Sequence, residues 1–247
     1  MRVSVLIAIL VCISGPSLKA ETLDAVYRVS FGIFGEIGIA KAHLEKNGEQ
    51  YLIRVEGEAT GIAKKLSKGR REVHISKGHI KNALLLSDTY TVIKSYGEKN
   101  SKKHYTVDHK KKQVVKYSEK SESGKQISRD EKVLDFYAEN DLLTLYFNIA
   151  SLITEKEKKG VYTFNAVGAE KQKGSVMVIV PDAKERIAYE TDLGKGSAWY
   201  LTAIIHQKIF ASDRGELILA IGKDGITEKA VLKDVVMFGD VMAQRIK

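Results

Sequence analysis

The stretch Val26-Tyr27-Arg28-Val29-Ser30-Phe31-Gly32-Ile33-Phe34, followed by Gly35-Glu36 and then Ile37-Gly38-Ile39-Ala40-Lys41-Ala42-His43-Leu44, decides the fold class. Tyr27, Val29 and Phe31 recur at every second position. Successive side chains of a strand point to opposite faces, so this spacing predicts a half-buried strand. Gly35-Glu36 predicts the turn into a second one. Asn47-Gly48 then stands before Tyr51-Leu52-Ile53-Arg54-Val55. Asn-Gly between strand-like runs predicts a type I′ hairpin, which needs positive φ at both central residues.

The same texture extends in both directions. Lys77-Gly78 is expected to separate Glu72-Val73-His74-Ile75 from the run Ile80 to Leu86. Ser123-Gly124, Lys173-Gly174, Asp213-Arg214-Gly215 and Lys223-Asp224-Gly225 each divide further runs. Val176 to Val180 is almost continuously apolar and stops at Pro181-Asp182. From Lys99 to Lys132 charge crowds the chain while Tyr105, Val107, Val115 and Tyr117 alternate, predicting one long exposed hairpin. Its lysines would discourage edge-to-edge pairing. The expected fold is mainly β: an antiparallel sheet, curled or barrel-like.

Two segments break the rhythm. Gly61 to Leu66 predicts a short helical turn. From Asp141 to Ile153, Leu142, Leu145, Tyr146, Ile149, Leu152 and Ile153 form one apolar stripe at helical spacing. Asn140 or Asp141 is placed to cap its start, and Lys156, Lys158 and Lys159 suit the negative end of its dipole. One amphipathic helix among strands is expected to pack on or in the curled sheet.

The first 20 residues have the order of a secretory signal: a basic Arg2, an apolar run from Val3 to Ile13, a Gly15-Pro16 break, and Ala20 before Glu21. The run is short of the roughly 20 residues that span a bilayer, which disfavours an uncleaved anchor. Residues 21–247 are then expected to form a single β-rich domain with no transmembrane segment, located in the periplasm. The only cysteine, Cys12, lies in the apolar run, so the mature domain would have no disulfide or thiol chemistry. Losing Arg2 and Lys19 leaves 38 basic against 31 acidic residues, a charge of +7. A basic surface suits anionic lipid, lipopolysaccharide or cell-wall polymer, and export argues against nucleic acid.

Catalytic motifs are scarce. No serine stands in a G-x-S-x-G elbow. Gly194-Lys195-Gly196-Ser197 lacks the spacer of a phosphate loop. His104 and Asp108 share a strand face with His109 on the other, and His74 and His79 need not meet, so no metal site is expected. Carboxylates such as Asp130-Glu131, Asp182 with Glu185, and Glu190 with Asp192 fall in or near turns. No cofactor is expected. What remains is concave apolar surface, with Tyr27, Phe31, Ile39, Ile53 and Trp199 expected to face inward. Small barrels either fill their interior or hold one small ligand, and both readings stay open here.

Tyr27-Arg28-Val29-Ser30-Phe31-Gly32-Ile33 with Gly35, Gly38, Tyr51, Ile53 and Gly61, then Asp141-Leu142-Leu143-Thr144-Leu145-Tyr146, then Val235 to Ala243, resemble the exported bacterial family catalogued as domain of unknown function 3108. The resemblance covers nearly the whole mature chain. It implies an exported, β-rich fold with an inserted helix and carries no catalytic residue.

The expected function is a non-enzymatic periplasmic protein binding an apolar or amphiphilic envelope component, lipid or lipoprotein-like, in envelope maintenance, with Tyr27, Phe31, Ile39 and Trp199 as candidate ligand contacts. Two alternatives stand beside it. One is a scaffold docking on an anionic envelope surface through Lys110, Lys111 and Lys112, while an envelope protein is the other partner open to the binding protein. The other is a hydrolase with an unrecognised acid pair.

Overall fold

The computed structural model describes residues 20–205, 215–233, 235 and 239–247. Among them, fifteen strands form one sheet. The first eight run as an antiparallel meander: β1 (Glu21–Phe31), β2 (Glu36–Asn47), β3 (Gln50–Ala59), β4 (Arg71–Lys81), β5 (Leu84–Tyr96), β6 (Lys99–Asp108), β7 (Gln113–Glu122) and β8 (Lys125–Val133). The short helix α1 (Gly61–Leu66) joins β3 to β4. After β9 (Asn140–Asp141) and helix α2 (Leu142–Leu152), a second meander follows: β10 (Gly160–Val167), β11 (Ser175–Val180), β12 (Trp199–Ile204), β13 (Glu216–Ile221), β14 (Thr227–Leu232) and β15 (Val241–Arg245). Helix α3 (Arg186–Leu193) lies between β11 and β12. β15 pairs with β1 and fuses the two meanders, and β9 pairs in parallel with β10.

The sheet rolls until one of its edges meets its own inner face. Ser87 on β5 donates its amide to the Glu139 carbonyl at 2.9 Å and its hydroxyl to Asp141 at 2.7 Å. Inside the roll lies α2. Leu145, Ile149 and the following Ile153 pack with Val176, Val178, Val180, Trp199 and Leu201. Leu143 and Phe147, on another side of the helix, pack with Leu44, Tyr51, Ile53 and Leu85. A helix enclosed by sheet must be apolar nearly all round, so its contacts extend past the stripe legible in the sequence. Fully burying each such aliphatic side chain stabilises the fold by about 1.5–3 kcal/mol.

Two polar residues fix the helix. Asp141 forms a capping box: its carboxylate accepts the Leu143 and Thr144 amides at 2.7 and 3.0 Å, and the Thr144 hydroxyl accepts the Asp141 amide at 2.7 Å. These bonds satisfy amides that have no partner within the helix. Buried Asn148 accepts the Leu85 amide at 3.0 Å and donates to the Leu85 carbonyl at 2.9 Å, so its side-chain amide pairs with β5 as a strand would.

Several turns differ from expectation. Lys77-Gly78 is no turn: β4 runs through it opposite a bulge in β5, and the chain reverses at Asn82-Ala83, both at positive φ. A side chain at Gly78 would stand 2.0 Å from the Leu86 carbonyl oxygen, so this glycine serves close strand approach. At Asn47-Gly48 only Gly48 has positive φ, and the two-residue loop is Gly48-Glu49; the type I′ geometry is absent. Lys99 to Lys132 forms β6 and β7 plus most of β8, three strands where one hairpin was expected. Every residue of β8 is exposed, and its charges protect the free edge of the sheet.

Helix α3 had no counterpart in the sequence reading, which put Glu185, Glu190 and Asp192 in or near turns. Asp182 accepts the Lys184 and Glu185 amides ahead of it, and an Arg186–Glu190 ion pair one turn apart holds it at 2.9 Å. The expected signal segment up to Lys19, His206, Asp213-Arg214 and the middle of the closing Val235–Ala243 motif lie outside the described residues. No helix among the described residues is long and apolar enough to cross a membrane.

Candidate functional site

Strand register builds the site. Side chains directly opposite on neighbouring strands share a face, so β4 to β7 lay three rows across the concave surface. The first is Ser76, Tyr90, Tyr105 and Lys116; the second His74, Val92, Lys103 and Ser118; the third Glu72, Lys94, Ser101 and Lys120. Two aromatic rings sit in the deep row, and the outer rows mix Lys94, Lys103 and Lys120 with Glu72, His74, Val92, Ser101 and Ser118. The chain after β10 arches over them from Gly168 to Lys171. It encloses a pocket of about 490 Å³ whose walls include Tyr90, Val92, Lys103, Tyr105, Lys116 and Glu170. That volume falls in the range of small-molecule sites.

The floor is two buried tyrosines stacked at 5.7 Å between ring centroids. Burial pushes both hydroxyls up from the ordinary tyrosine value; the Glu170 hydrogen bond and charge add to this at Tyr105. Gly168 has φ +103, and a side chain there would press within 2.9 Å of the Tyr90 ring. Only glycine lets the covering segment sit this low over Tyr90.

Glu170 anchors that segment to the sheet. Its carboxylate accepts the Tyr105 hydroxyl and the Lys116 ammonium, both at 2.5 Å, and Lys103 at 3.2 Å. Burial alone would raise its pKa; these partners outweigh burial and hold it below the ordinary glutamate value. A second network lies beside it. Glu72 contacts His74 Nε2 at 2.7 Å and Lys94 at 2.9 Å, while His74 Nδ1 meets the Tyr90 hydroxyl at 2.6 Å. Burial of Glu72 is overcome by His74 and Lys94, and its pKa falls to about 2. Burial lowers the pKa of Lys94.

Lys94, Lys102, Lys103, Lys116, Lys120 and Lys171 line the pocket together with the carboxylates Glu119 and Glu170, and Glu72 pairs with Lys94 beside it. Lys120 and Lys171 are exposed and have no carboxylate partner among the described residues. The pocket therefore carries surplus positive charge at its mouth and aromatic surface at its base.

None of the four ligand contacts named from sequence lines this pocket. Tyr27 faces the roll interior and bonds Tyr146 of α2. Phe31 shares that strand face and stacks on Phe34 at 5.9 Å. Ile39 pairs with Arg28 and Glu58, on the face opposite Leu44, so it does not point inward as expected. Trp199 belongs to the core beside α2, with Lys156 above its ring at 5.6 Å. The structure does not bring these four together. Lys110, Lys111 and Lys112 are exposed in the β6–β7 turn, where the Lys110 and Lys111 amides bond Asp108 at 3.0 and 2.9 Å. They stand at the far end of β6 from the lysine-rimmed mouth.

Lys116 escaped the sequence reading because Val114-Val115 offers two phases of alternation. The sequence reading followed the Val115 and Tyr117 phase of an exposed hairpin, yet the register with Tyr105 turns Val114 and Lys116 to the interior. Glu170 gives no sequence signal, since only the roll brings it to β7. Asp88, His79 and His109 also converge, at the other end of β5 and β6.

The fold and site define a class: a rolled antiparallel sheet with an internal helix and a cationic concave pocket. No protein-family model matches the chain, and no curated protein matches it. Among solved structures it is similar to the crystal structure of a beta-barrel-like protein of domain of unknown function DUF1849 from Brucella abortus. The TM-score is 0.49 at 9% sequence identity, over 91% of this chain and 95% of that one.

Proposed function

We propose that the protein is a non-enzymatic binding protein of the bacterial cell envelope whose concave pocket takes an anionic amphiphile. The carrying observation is the pocket itself, about 490 Å³, floored by Tyr90 and Tyr105 and rimmed by Lys103, Lys120 and Lys171. An acidic head group gains charge-assisted hydrogen bonds at the rim, and an apolar portion covers tyrosine and Val92 surface. The engaged state of the acids in and beside the pocket supports binding over catalysis: Glu72 and Glu170 are ion-paired, Glu119 accepts the Tyr117 hydroxyl, and both nitrogens of His74 have partners. The signal-like first 20 residues support an envelope location. The resemblance to domain of unknown function 3108 belongs to this proposal, with its quoted residues closing β1 and leading into α2.

Mass spectrometry of protein purified gently from periplasmic extract, native and then denatured, tests it. An anionic lipid present in the native mass and released on denaturation supports the proposal. An empty protein, or one retaining only uncharged lipid, counts against it.

A further inference from the structure

We infer that His79, Asp88 and His109 form a binding site for a divalent transition metal, separate from the lysine-rimmed pocket. His79 Nδ1 lies 2.9 Å from Asp88 Oδ1, and His109 Nε2 lies 3.2 Å from that same oxygen. All three ligand atoms fall within 4.8 Å of one another. Zinc bonds to imidazole nitrogen and carboxylate oxygen at about 2.0–2.2 Å, which in tetrahedral geometry sets neighbouring ligand atoms about 3.3 Å apart. The two contacts to Asp88, at 2.9 and 3.2 Å, are close to that spacing already. The ligand set of two imidazoles and one carboxylate suits zinc, with the remaining position open to water.

The backbone is shaped to make this trio. Lys77 pairs with Thr89 and Gly78 with Ser87, so Asp88 is the extra residue of a bulge in β5. A bulge re-aims a side chain that regular pairing would direct elsewhere. Gly78 makes this bulge possible, because a side chain there would lie 2.8 Å from the Asp88 amide nitrogen and closer still to the Leu86 carbonyl. His109 comes from just beyond β6, and its ring meets that of His79 edge to face at 5.3 Å. Tyr137 adds the outer contact: its hydroxyl lies 2.9 Å from His109 Nδ1. A partner on the far ring nitrogen fixes the tautomer and orientation of a metal-ligating histidine. The three side chains are 24–47% exposed, so an ion reaches the site from solvent.

Without metal the same contacts form a hydrogen-bonded trio in which both imidazoles donate to Asp88. Direct binding separates the two states. Full-length mature protein, stripped with chelator, is dialysed against zinc, and retained metal is measured by elemental analysis. Cobalt(II) replaces zinc in a parallel sample for its visible spectrum. We expect one zinc per chain, and a cobalt spectrum of low coordination number. Tyr137→Phe should weaken zinc binding by about tenfold or more, in the range of outer-contact substitutions at metal sites. His79→Gln with His109→Gln should abolish it while the thermal unfolding profile remains cooperative. Metal-free wild-type protein after dialysis overturns the inference, and so does zinc retained equally by the double variant. Neither outcome bears on the lysine-rimmed pocket, whose lining residues are all different.

Discussion

Lys116 Nζ lies 2.5 Å from Glu170 Oε2, joining the inner face of β7 to the segment that covers it, 54 residues later in the chain. Lys116 is 8% exposed, so the pair sits largely away from water. Breaking a buried pair leaves one charge uncompensated, whereas replacing both partners removes the problem. Lys116→Met should therefore destabilise by about 2–4 kcal/mol in urea unfolding. Lys116→Met with Glu170→Gln should cost less than the sum of the two single changes. Strict additivity would show that the pair is not coupled.

Glu72 supplies acid sensitivity. Its pKa falls from 4.5 to about 2 in the folded protein. A depressed carboxylate stabilises the fold above its unfolded value, and the contribution is lost as pH falls through the folded value. The window is thus pH 4.5 down to about 2, worth at most about 3 kcal/mol from that difference. Glu72→Gln should flatten the loss of stability across this window. Chemical unfolding at pH 5, 4 and 3 measures it, and unchanged pH dependence in the variant would contradict the assignment.

Ala83 occupies the left-handed region at φ +64 in the β4–β5 turn. A non-glycine residue costs roughly 1–2 kcal/mol there, offset in part by the greater unfolded-state freedom of glycine. Ala83→Gly should raise stability by about 0.5–1 kcal/mol, read as a higher melting temperature. A fall in melting temperature would place the strain elsewhere.

Asp141 holds α2 by its cap and holds the sheet edge through Ser87. Asp141→Ala should cost about 2–4 kcal/mol, combining a lost cap with an orphaned buried hydroxyl. Amide hydrogen exchange should accelerate most at Leu143, Thr144 and Ser87. Uniform acceleration across the molecule would mean that the residue acts globally and not through this junction.

The fold was legible where alternation met an unambiguous turn. Tyr27, Val29 and Phe31 gave β1, Ser123-Gly124 gave the β7–β8 reversal, and the Leu142-to-Ile153 stripe gave α2 within a residue at each end. It was illegible where a glycine served packing. Gly78 resembles a turn glycine in sequence, but its role depends on Leu86 and Asp88 across the ladder. The pocket was hidden for a related reason. Lys116 reads as one more lysine in a charged strand until register sets it beside Tyr105. The convergence of Glu170 depends on how far the sheet rolls, which no local pattern encodes. His79 and His109 were noted in the sequence but Asp88 was not, because a bulge that shifts strand phase by one residue is what brings it to them.

The central claim is that the pocket selects a negatively charged head group on an apolar chain. Calorimetric titration of dodecyl phosphate below its micellar concentration, with dodecyl maltoside as the uncharged control, tests it most directly in wild type and in Lys120→Glu with Lys171→Glu. Both lysines are exposed and have no carboxylate partner among the described residues, so the double variant is expected to keep the fold. One dodecyl phosphate should bind per chain, with affinity about tenfold or more weaker in the double variant and falling with salt, and the maltoside should show neither dependence. Equal affinity of the two proteins for dodecyl phosphate, or no binding to wild type, would contradict the account.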